Sequence, residues 1–298
     1  MVSETSDLEC SLNVMSALSN LFKNNPAVKT LSKIYGSLEQ IKKNTEVTRI
    51  AAANPYLKSI REFNKATQLS FSETVDLLAS ERISFARFGD GELKLMLRPT
   101  YKLAFQKNSQ GLRDALAEVV SLGKKSPNKL LVGFPQMHQD LHWSGVWVDI
   151  ADETLDIFSG LKRVGNAHVT RPIFFEDLGA NGVELWRAVW AGKKVRVVTG
   201  KGSRFELIPA LFDNVASVEF TNSTATNAFE DLERLQADLE TTSDELYLIA
   251  LGPAGTVLAA QLAEAGKWAI DLGHISDSYE NVFKGAVRPE LKPVTNAN

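Results

Sequence analysis

The sequence predicts an α/β protein whose mostly parallel sheet is covered by helices on both faces, with a helical extension in front of it. From about residue 70 onward, short apolar segments alternate with segments of helical periodicity, as in strand–helix–strand units. Two of the short segments, LLVGF and LYLIAL, are almost continuously hydrophobic, which is typical of parallel strands buried on both faces. Residues 1–65 show helical spacing only.

The composition is that of an average soluble globular protein. The 298 residues are 44% hydrophobic and 23% charged, which excludes a disordered chain or a fibre. The formal charge of −3 argues against nucleic acid as a partner, and the single Cys10 excludes an internal disulfide framework. The first ten residues carry no positive charge, and no segment is apolar enough to span a bilayer. We therefore expect a cytoplasmic protein without an integral membrane segment.

The helical extension covers residues 1–65, and we expect the main domain to cover residues 66–298. A first row of apolar residues runs from Leu8 to Phe22. After Asn24-Asn25-Pro26, a second helix is predicted from the spacing of residues between Val28 and Lys42. These helices need a surface to pack on. That surface is the body of the protein, a second copy in a homodimer, or a partner enzyme, and the sequence leaves the choice open.

The main domain contains six predicted strands and six predicted helices in alternation, a Rossmann-like pattern. We see no internal repeat of fixed period and no low-complexity tract. The strands are predicted at 83–88, 129–134, 194–199, 217–220, 246–251 and 268–272, and the helices at 92–97, 111–122, 182–190, 205–212, 227–239 and 256–265.

Ligands of open α/β sheets bind beyond the carboxyl ends of the strands, so the turns after the strands are the first candidates for a site. The turn after the first strand reads RFGDGE and places Asp90 and Glu92 at the start of a helix. Two such carboxylates are able to share Mn²⁺ or Mg²⁺, which would neutralise phosphate oxygens. Capping of the helix by the same two acidic residues is an equally good interpretation.

Two further turns have the glycines of a nucleotide site. Gly200, Lys201, Gly202, Ser203 and Arg204 follow a strand and suit a pyrophosphate at a helix N-terminus, although a solvated turn remains an alternative. Their spacing is not that of a Walker A loop. The turn after LYLIA contains Gly252, Pro253, Gly255 and Thr256, whose small size suits a ligand or close helix–sheet packing equally well.

Titratable residues follow the last strand. His274, with Asp277 and Glu280 three and six positions later, is a candidate proton acceptor or phosphate contact, or a structural histidine. Arg171 precedes Pro172, so its backbone should be extended, and its side chain suits a phosphate or an ion pair.

Other patterns in the sequence are weaker indications of a binding or catalytic site. His138 and His142 have H-x-x-x-H spacing but lack the second-position glutamate of a zinc helix, and the following Trp143 and Trp147 suggest a loop. The Trp143/Trp147 and Trp186/Trp190 pairs have helical spacing that favours core packing over sugar stacking. No G-x-S-x-G elbow is present.

The order of these segments resembles the GT-D type glycosyltransferases of bacteria, a family that includes a UDP-glucose-dependent transferase acting on adhesin glycans. The resemblance covers about residues 70–285, and its most specific parts are the DxE motif and the LGP…DLGH pair. The matching segments are FARFGDGE (85–92), LLVGFP (130–135), VTRP (169–172), VRVVTGKGSRF (195–205), TATNAFED (224–231), LYLIALGPAGTVLA (246–259) and AIDLGHISDSYE (269–280).

The resemblance implies a metal-dependent transfer of sugar from a UDP-sugar donor to a glycan, glycoprotein or other hydroxyl acceptor. Asp90 and Glu92 would be the metal site, with Mn²⁺ or Mg²⁺ as the ion. This sequence has Ser276 and Ser278 where the family pattern has more acidic residues, so Asp277 and Glu280 are the candidate bases. Residues implied around the sugar nucleotide or the reaction centre are Arg87, Arg171, the 200–204 and 252–256 turns, His274, Asp277 and Glu280.

Two alternatives remain open at this point. The chain could be a non-catalytic partner subunit of a glycosylation complex, which its helical extension would suit. It could also be another nucleotide-binding enzyme, such as a dehydrogenase or phosphosugar isomerase, although it lacks the G-x-G-x-x-G fingerprint.

Overall fold

The computed structural model describes residues 25–138 and 140–292. The chain divides into two compact units, Met1–Asn54 and Pro55–Asn298. The described part of the first unit is helical and belongs to α1 (Pro26–Thr67). The row of apolar residues predicted between Leu8 and Phe22 lies outside the described residues, and the domain boundary at residue 65 stays a prediction.

The second unit is built on a seven-stranded sheet in which every pairing is parallel, which confirms the predicted α/β class. The order across the sheet is β3-β2-β1-β7-β6-β4-β5. The strands are β1 (Ser84–Arg87), β2 (Leu130–Phe134), β3 (Gly165–Asn166), β4 (Lys194–Gly200), β5 (Ser217–Ser223), β6 (Leu246–Ala250) and β7 (Ala269–Asp271). Six of them lie at the predicted positions. β3 was not predicted, since two residues carry no periodicity.

Helices connect the strands. They are α2 (Phe71–Glu81), α3 (Asp90–Leu97), α4 (Gln110–Lys125), α5 (Leu141–Phe158), α6 (Pro172–Leu178), α7 (Ala180–Trp190), α8 (Pro209–Phe212), α9 (Leu232–Glu240), α10 (Pro253–Glu264) and α11 (Ile275–Lys284), with 3₁₀ turns at Ala167–Thr170, Ala228–Asp231 and Pro289–Leu291. Among the described residues, no helix has the length and apolar character needed to cross a membrane.

Two helix predictions need correction. The segment after His138 was interpreted as a loop, but it forms α5, because the Asp140 carboxylate accepts the Trp143 N–H at 2.7 Å and caps the helix. The helix predicted at 205–212 starts only at Pro209, since the residue before a proline is restricted to extended conformations and Ile208 adopts one.

The tryptophan pairs lie in the core, as their spacing predicted. Trp186 and Trp190 have no exposed surface and stack with ring centroids 5.5 Å apart. Trp143 and Trp147 also stack at 5.5 Å, and Trp143 keeps 9% of its surface exposed. Burial of rings of this size contributes strongly to the core.

The topology places the candidate site beyond the carboxyl ends of the two central strands. From β1 the chain moves outward to β2 and β3, then crosses to β4 and fills the other half of the sheet. β1 and β7 are neighbours with Phe85 opposite Ile270. The crevice beyond their carboxyl ends is therefore the place where a doubly wound sheet binds its ligand.

Two glycines give matched tests of this packing. A Cβ at Gly133 in β2 would lie 2.8 Å from the Phe85 ring, whereas one at Gly145 in α5 would have no atom within 4 Å. We expect Gly133→Ala to lower the free energy of unfolding by about 1–3 kcal/mol through overpacking. We expect Gly145→Ala to raise it by about 0.5–1 kcal/mol through helix propensity. Urea unfolding measures both, and equal effects of the two substitutions would contradict the packing described for β2.

Candidate active site

A cavity of about 730 Å³ opens beyond the carboxyl ends of the strands. It is lined by the loops that follow β1, β4, β5, β6 and β7, by the start of α5, and by residues near the end of the described chain. Because these loops come from distant parts of the sequence, the sheet edge is what assembles the site.

The central feature of the cavity is an ion pair between Arg87 and Asp271, at the ends of β1 and β7. Arg87 Nε donates to the Asp271 carbonyl at 2.9 Å, and Nη1 donates to the Ala167 carbonyl at 3.0 Å. Arg87 Nη2 lies 3.4 Å from Asp271 Oδ1. Only 13% of the arginine side chain and 2% of the aspartate side chain are exposed. The pair therefore holds the two central strands together beneath the cavity.

Further hydrogen bonds hold the Asp271 carboxylate in place. Thr256 Oγ1 lies 3.2 Å from Asp271 Oδ2 and 2.9 Å from the Arg87 carbonyl, while the Gly273 N–H donates to Asp271 Oδ1 at 3.1 Å. Gly273 has a φ of +48°, and a Cβ there would lie 2.0 Å from Arg87 Nη2. A glycine is therefore required for the last strand to turn past the guanidinium.

Part of the predicted glycine turn lies away from the cavity. Gly252 lines the cavity, but Pro253, Gly255 and Thr256 do not. Thr256 has no exposed surface, and a Cβ on Gly255 would lie 3.0 Å from Ile249. This corrects the expectation that the whole turn surrounds a ligand: its C-terminal half packs α10 against the sheet.

Glu92 lies in the first turn of α3, and Glu92 Oε2 accepts the Gly89 N–H at 2.9 Å as a cap. The pKa of Glu92 is raised to about 7, first by burial and then by the charge of Asp271, while Arg87 opposes both effects. One arginine therefore faces two carboxylates, and near pH 7 Glu92 on this wall of the cavity is partly protonated.

Asp90 also lines the cavity and keeps 35% of its side chain exposed. Asp90 Oδ2 lies 3.1 Å from His142 Nε2 and 3.8 Å from Lys94 Nζ. His142 begins α5, so the helix that sequence reasoning missed brings this imidazole to the predicted metal motif.

The described residues contain no group of three or more His, Cys, Asp or Glu side chains placed to hold a metal ion. A hard cation bound to phosphate needs only one or two protein carboxylates, because phosphate oxygens and water supply its other ligands. Asp90, partly exposed at the cavity wall, with His142 beside it and the Glu92 carboxyl two residues further on, fits a cation of that kind.

Positive charge lines the cavity after β4. Gly200, Lys201, Gly202, Ser203 and Arg204 all line it, as the sequence predicted. Two of their backbone N–H groups already have acceptors within the protein. The Lys201 N–H donates to the Ser223 carbonyl, and the Ser203 N–H donates to the Gly200 carbonyl, both at 2.9 Å. Lys201 is exposed, whereas Arg204 Nη2 lies 3.7 Å from Asp277 Oδ2. Cationic side chains, more than backbone N–H groups, are what this loop offers an anion.

Arg171 has the extended backbone predicted for a residue before proline, and it lines the cavity. Its guanidinium donates to Glu290 Oε1, in the segment 286–292 that we call the C-terminal strap. Lys292 of the strap pairs with Asp277 at 2.5 Å, and Arg288 pairs with Glu176 at 2.7 Å. Three ion pairs thus hold the strap along the cavity.

His274 and Asp277 line the cavity after β7. His274 Nδ1 lies 3.7 Å from Asp277 Oδ2. Loss of hydration lowers the pKa of His274, and Asp277 opposes this only in part. Burial raises the pKa of Asp277, but pairing with His274 and Lys292 outweighs it and lowers the value to about 2. At neutral pH the aspartate is therefore ionised and the histidine is largely neutral.

Glu280 does not line the large cavity. It lines a smaller one of about 200 Å³ that shares Arg204, Ser276, Asp277 and Lys292 with the large cavity, and its Oε1 accepts from Lys284 at 3.0 Å. The structure brings His274 and Asp277 together with the predicted metal motif in one cavity but leaves Glu280 outside it.

Comparison with known proteins gives this arrangement a family. The family model described as the glycosyltransferase GT-D fold matches residues 85–293, well over half of the chain. The chain belongs to the GT-D family of glycosyltransferases. That match begins in β1 and spans the strand ends that form the cavity.

Two curated relatives are streptococcal. Glycosyltransferase GlyD of Streptococcus pneumoniae serotype 4 is 28% identical over 226 residues, which are 72% of this chain and 27% of the relative. The probable glycosyl transferase Gly of Streptococcus gordonii is 27% identical over 237 residues, 76% of this chain and 34% of the relative. This chain therefore spans about a quarter to a third of the length of these relatives.

Solved structures agree with the GT-D assignment. A highly conserved domain of unknown function with a distinct glycosyltransferase fold has a TM-score of 0.69 and 26% identity, covering 78% of this chain and 86% of that one. A new glycosyltransferase from Streptococcus sanguinis has a TM-score of 0.63 at 26% identity, covering 74% and 85%. The solved domains match this chain over most of their length.

Sequence reasoning missed several residues in or beneath this GT-D cavity. Asp271 was quoted within a motif but given no role, although a carboxylate at the end of a buried strand is a signal that it has a partner. His168, 7% exposed, lies with Nδ1 3.0 Å from His138 Nε2, and both imidazoles line the cavity. No local sequence pattern marks Glu290 and Lys292 as site residues, because their partners lie far away in the chain.

The raised pKa of Glu92 makes stability depend on pH in a defined direction. The folded-state pKa lies above the ordinary 4.5, so between these values the folded protein holds a proton that the unfolded chain releases. Stability is therefore lost as pH rises through about 7. We expect Glu92→Gln to raise the free energy of unfolding at pH 8 by on the order of 2–3 kcal/mol, and to have little effect at pH 5.

Thermal or urea unfolding in EDTA at both pH values measures this difference. Glu264→Gln is the matched control, because Glu264 is an exposed helical glutamate outside the cavity and its substitution should change stability little at either pH. A Glu92→Gln variant that is less stable than the parent at pH 8 would contradict the described electrostatics.

Proposed function

We propose that this chain transfers a sugar from a nucleoside-diphosphate donor, of the UDP-sugar class, to a hydroxyl of a glycan or glycoprotein acceptor, with Mn²⁺ or Mg²⁺ as cofactor. The observation that carries the proposal is the division of charge in one cavity. Asp90 and Glu92 lie on one side, and Arg171, Lys201 and Arg204 are contributed by other loops. A diphosphate with a bound cation suits such a cavity, because the carboxylates can hold the cation and the cationic side chains can bind the phosphate oxygens. A UDP-sugar donor would fit a cytoplasmic enzyme.

Residues of this chain would orient the donor. Lys201 and Arg171 would bind phosphate oxygens, and Arg87 would contribute positive charge from a position fixed by Asp271. A divalent cation held by Asp90, with Glu92 and His142 beside it, would neutralise charge on the leaving diphosphate. Because Arg87 and Asp271 are already paired in the fold, their side chains need little reorganisation when the reaction begins.

A histidine and an aspartate would handle the acceptor proton. His274 is largely neutral at pH 7 and so is able to accept the proton of an acceptor hydroxyl. Asp277 carries a fixed negative charge that would orient the imidazole and stabilise its protonated form. With a pKa of about 2, Asp277 is itself a weak base, so His274 is the better candidate for the proton acceptor.

The first test measures donor binding. Thermal unfolding is followed with UDP and UDP-glucose, each with and without Mn²⁺, for the parent chain and for Asp90→Asn. A ligand at a hundred times its dissociation constant adds about 2.7 kcal/mol of stability, a shift of a few degrees. We expect a shift that needs Mn²⁺ and is lost in Asp90→Asn.

Asp152→Asn is the matched control, because Asp152 is an exposed helical aspartate outside the cavity. It should keep the full shift. No shift with any nucleotide would overturn the donor proposal, and an Asp90→Asn variant that keeps the Mn²⁺-dependent shift would overturn the metal role of Asp90.

A second prediction concerns Glu290. Its carboxylate pairs with the Arg171 guanidinium that the donor phosphates would use, so the two anions compete. We expect Glu290→Gln to tighten UDP binding by up to about fivefold, the range of a partly exposed ion pair. Isothermal titration of the parent and the variant with UDP and Mn²⁺ gives the ratio.

Glu176→Gln distinguishes this competition from a general loosening of the strap. It removes the strap's other carboxylate–arginine contact, to Arg288, without touching Arg171. We expect no comparable gain from it. Equal tightening in both variants would show that opening of the strap, and not release of Arg171, limits binding, and weaker binding in Glu290→Gln would contradict the competition.

A further inference from the structure

Helix α1 carries a row of large apolar side chains that are exposed. Leu31, Ile34, Leu38 and Ile41 are 64%, 50%, 57% and 59% exposed. Leu, Ile and Val side chains at this degree of exposure are individually common, but a continuous row of them on one helix face is typical of an interaction surface.

The spacing of the row is that of a coiled coil. Its members are separated by three, four and three residues, the a and d positions of a heptad. The same register continues through Ala27 before the row and through Thr45, Thr48 and Ala52 after it. All eight positions, which we call the α1 seam, are exposed and uncharged.

Charged side chains of this part of the helix avoid the seam. The charged residues between 27 and 52 are Lys29, Lys33, Glu39, Lys42, Lys43, Glu46 and Arg49, and each lies at a b, c, e or f position. The register ends next to Pro55 in α1, where the first compact unit also ends. The seam spans nearly four heptads, and its four central positions, from Leu31 to Ile41, carry large apolar side chains.

The identity of the seam residues selects the partner. A heteromeric partner would need its own matching seam, whereas a second copy of this chain supplies one by symmetry. In a parallel assembly each g position meets an e position of the neighbour, and the g residues Thr30, Ser37, Asn44 and Ala51 are uncharged. Lys42 and Arg49, at e positions, therefore meet no like charge in such an assembly.

The same residues set the number of strands. At the four central positions of the seam, Leu31 and Leu38 occupy a positions and Ile34 and Ile41 occupy d positions, an arrangement that favours assemblies larger than a dimer, up to four strands. The e residues Val28 and Tyr35 are also apolar and 38% and 67% exposed, so the apolar face is wider than a two-stranded seam requires.

From the exposed, uncharged heptad seam of α1, we propose that this chain assembles with copies of itself as a parallel coiled coil through residues 27–52, with four strands as the favoured number. The assembly would join several copies of the chain, and therefore several catalytic units, through residues 27–52. It stands independently of the proposed sugar transfer.

The full chain is tested by light scattering coupled to gel filtration between 10 and 100 µM. We expect a mass near four times the 32.8 kDa of one chain. Leu38→Lys places a charge in the seam and should lower the mass to that of one chain. Val47→Lys is the matched control, since Val47 is 65% exposed on the same helix but occupies a c position, and it should keep the parent mass.

A second variant tests the packing rule itself. Exchanging the seam residues, with Ile at 31 and 38 and Leu at 34 and 41, keeps the apolar composition and produces the pattern that favours two strands. We expect the mass to fall to that of a dimer. Thermal unfolding of every variant shows whether the catalytic unit has stayed folded.

Two results would overturn the proposal. The first is a parent chain of single-chain mass at 100 µM; if such a chain assembles once residues 1–24 are removed, the preceding segment of the same chain covers the seam. The second is a parent mass that survives Leu38→Lys.

Discussion

The buried ion pair between Arg87 and Asp271 is the contact on which the rest of the cavity depends. It joins the ends of β1 and β7, the strands on either side of the crevice, and it recruits Thr256 of α10 and the backbone of Gly273. A buried charge pair of this kind is stable only when its remaining hydrogen bonds are satisfied, and here Ala167 satisfies one of them. The Asp271 charge of the same pair also helps to raise the pKa of Glu92, so the protonation of this wall of the cavity follows from how the strands are joined.

The part of the site that the sequence predicts is the part governed by topology. Asp90, Lys201 and His274 come from three distant turns, yet they line one cavity, because the carboxyl ends of parallel strands share an edge. Arg171 was placed by a second local rule, the extended backbone that a following proline requires. Strand periodicity and turn chemistry are local signals, which is why a single sequence is enough to read them.

The errors arise where one residue type serves two purposes. Small residues such as Gly255 and Thr256 suit a ligand turn and a tightly packed helix equally, and only the buried contacts decide between these roles. The amphipathic pattern of α5 was hidden by two histidines and two tryptophans that also suit a loop. The partner of Arg171 lies 119 residues away along the chain, and no local pattern in a single sequence encodes a pairing at that separation.

The charges in the cavity already have partners within the chain, and this bears on selectivity. Arg171 is held by Glu290, Asp277 by Lys292, and Asp90 lies beside His142. An incoming anion therefore has to replace a carboxylate that already pairs with Arg171, and this largely offsets the Coulomb gain from Arg171. A singly charged ligand gains little from this exchange, whereas a diphosphate brings more charge and more oxygens than the carboxylate it displaces. The ion pairs already present in the cavity would therefore make it selective. They favour multiply charged ligands over small monoanions, which would otherwise bind the same guanidinium.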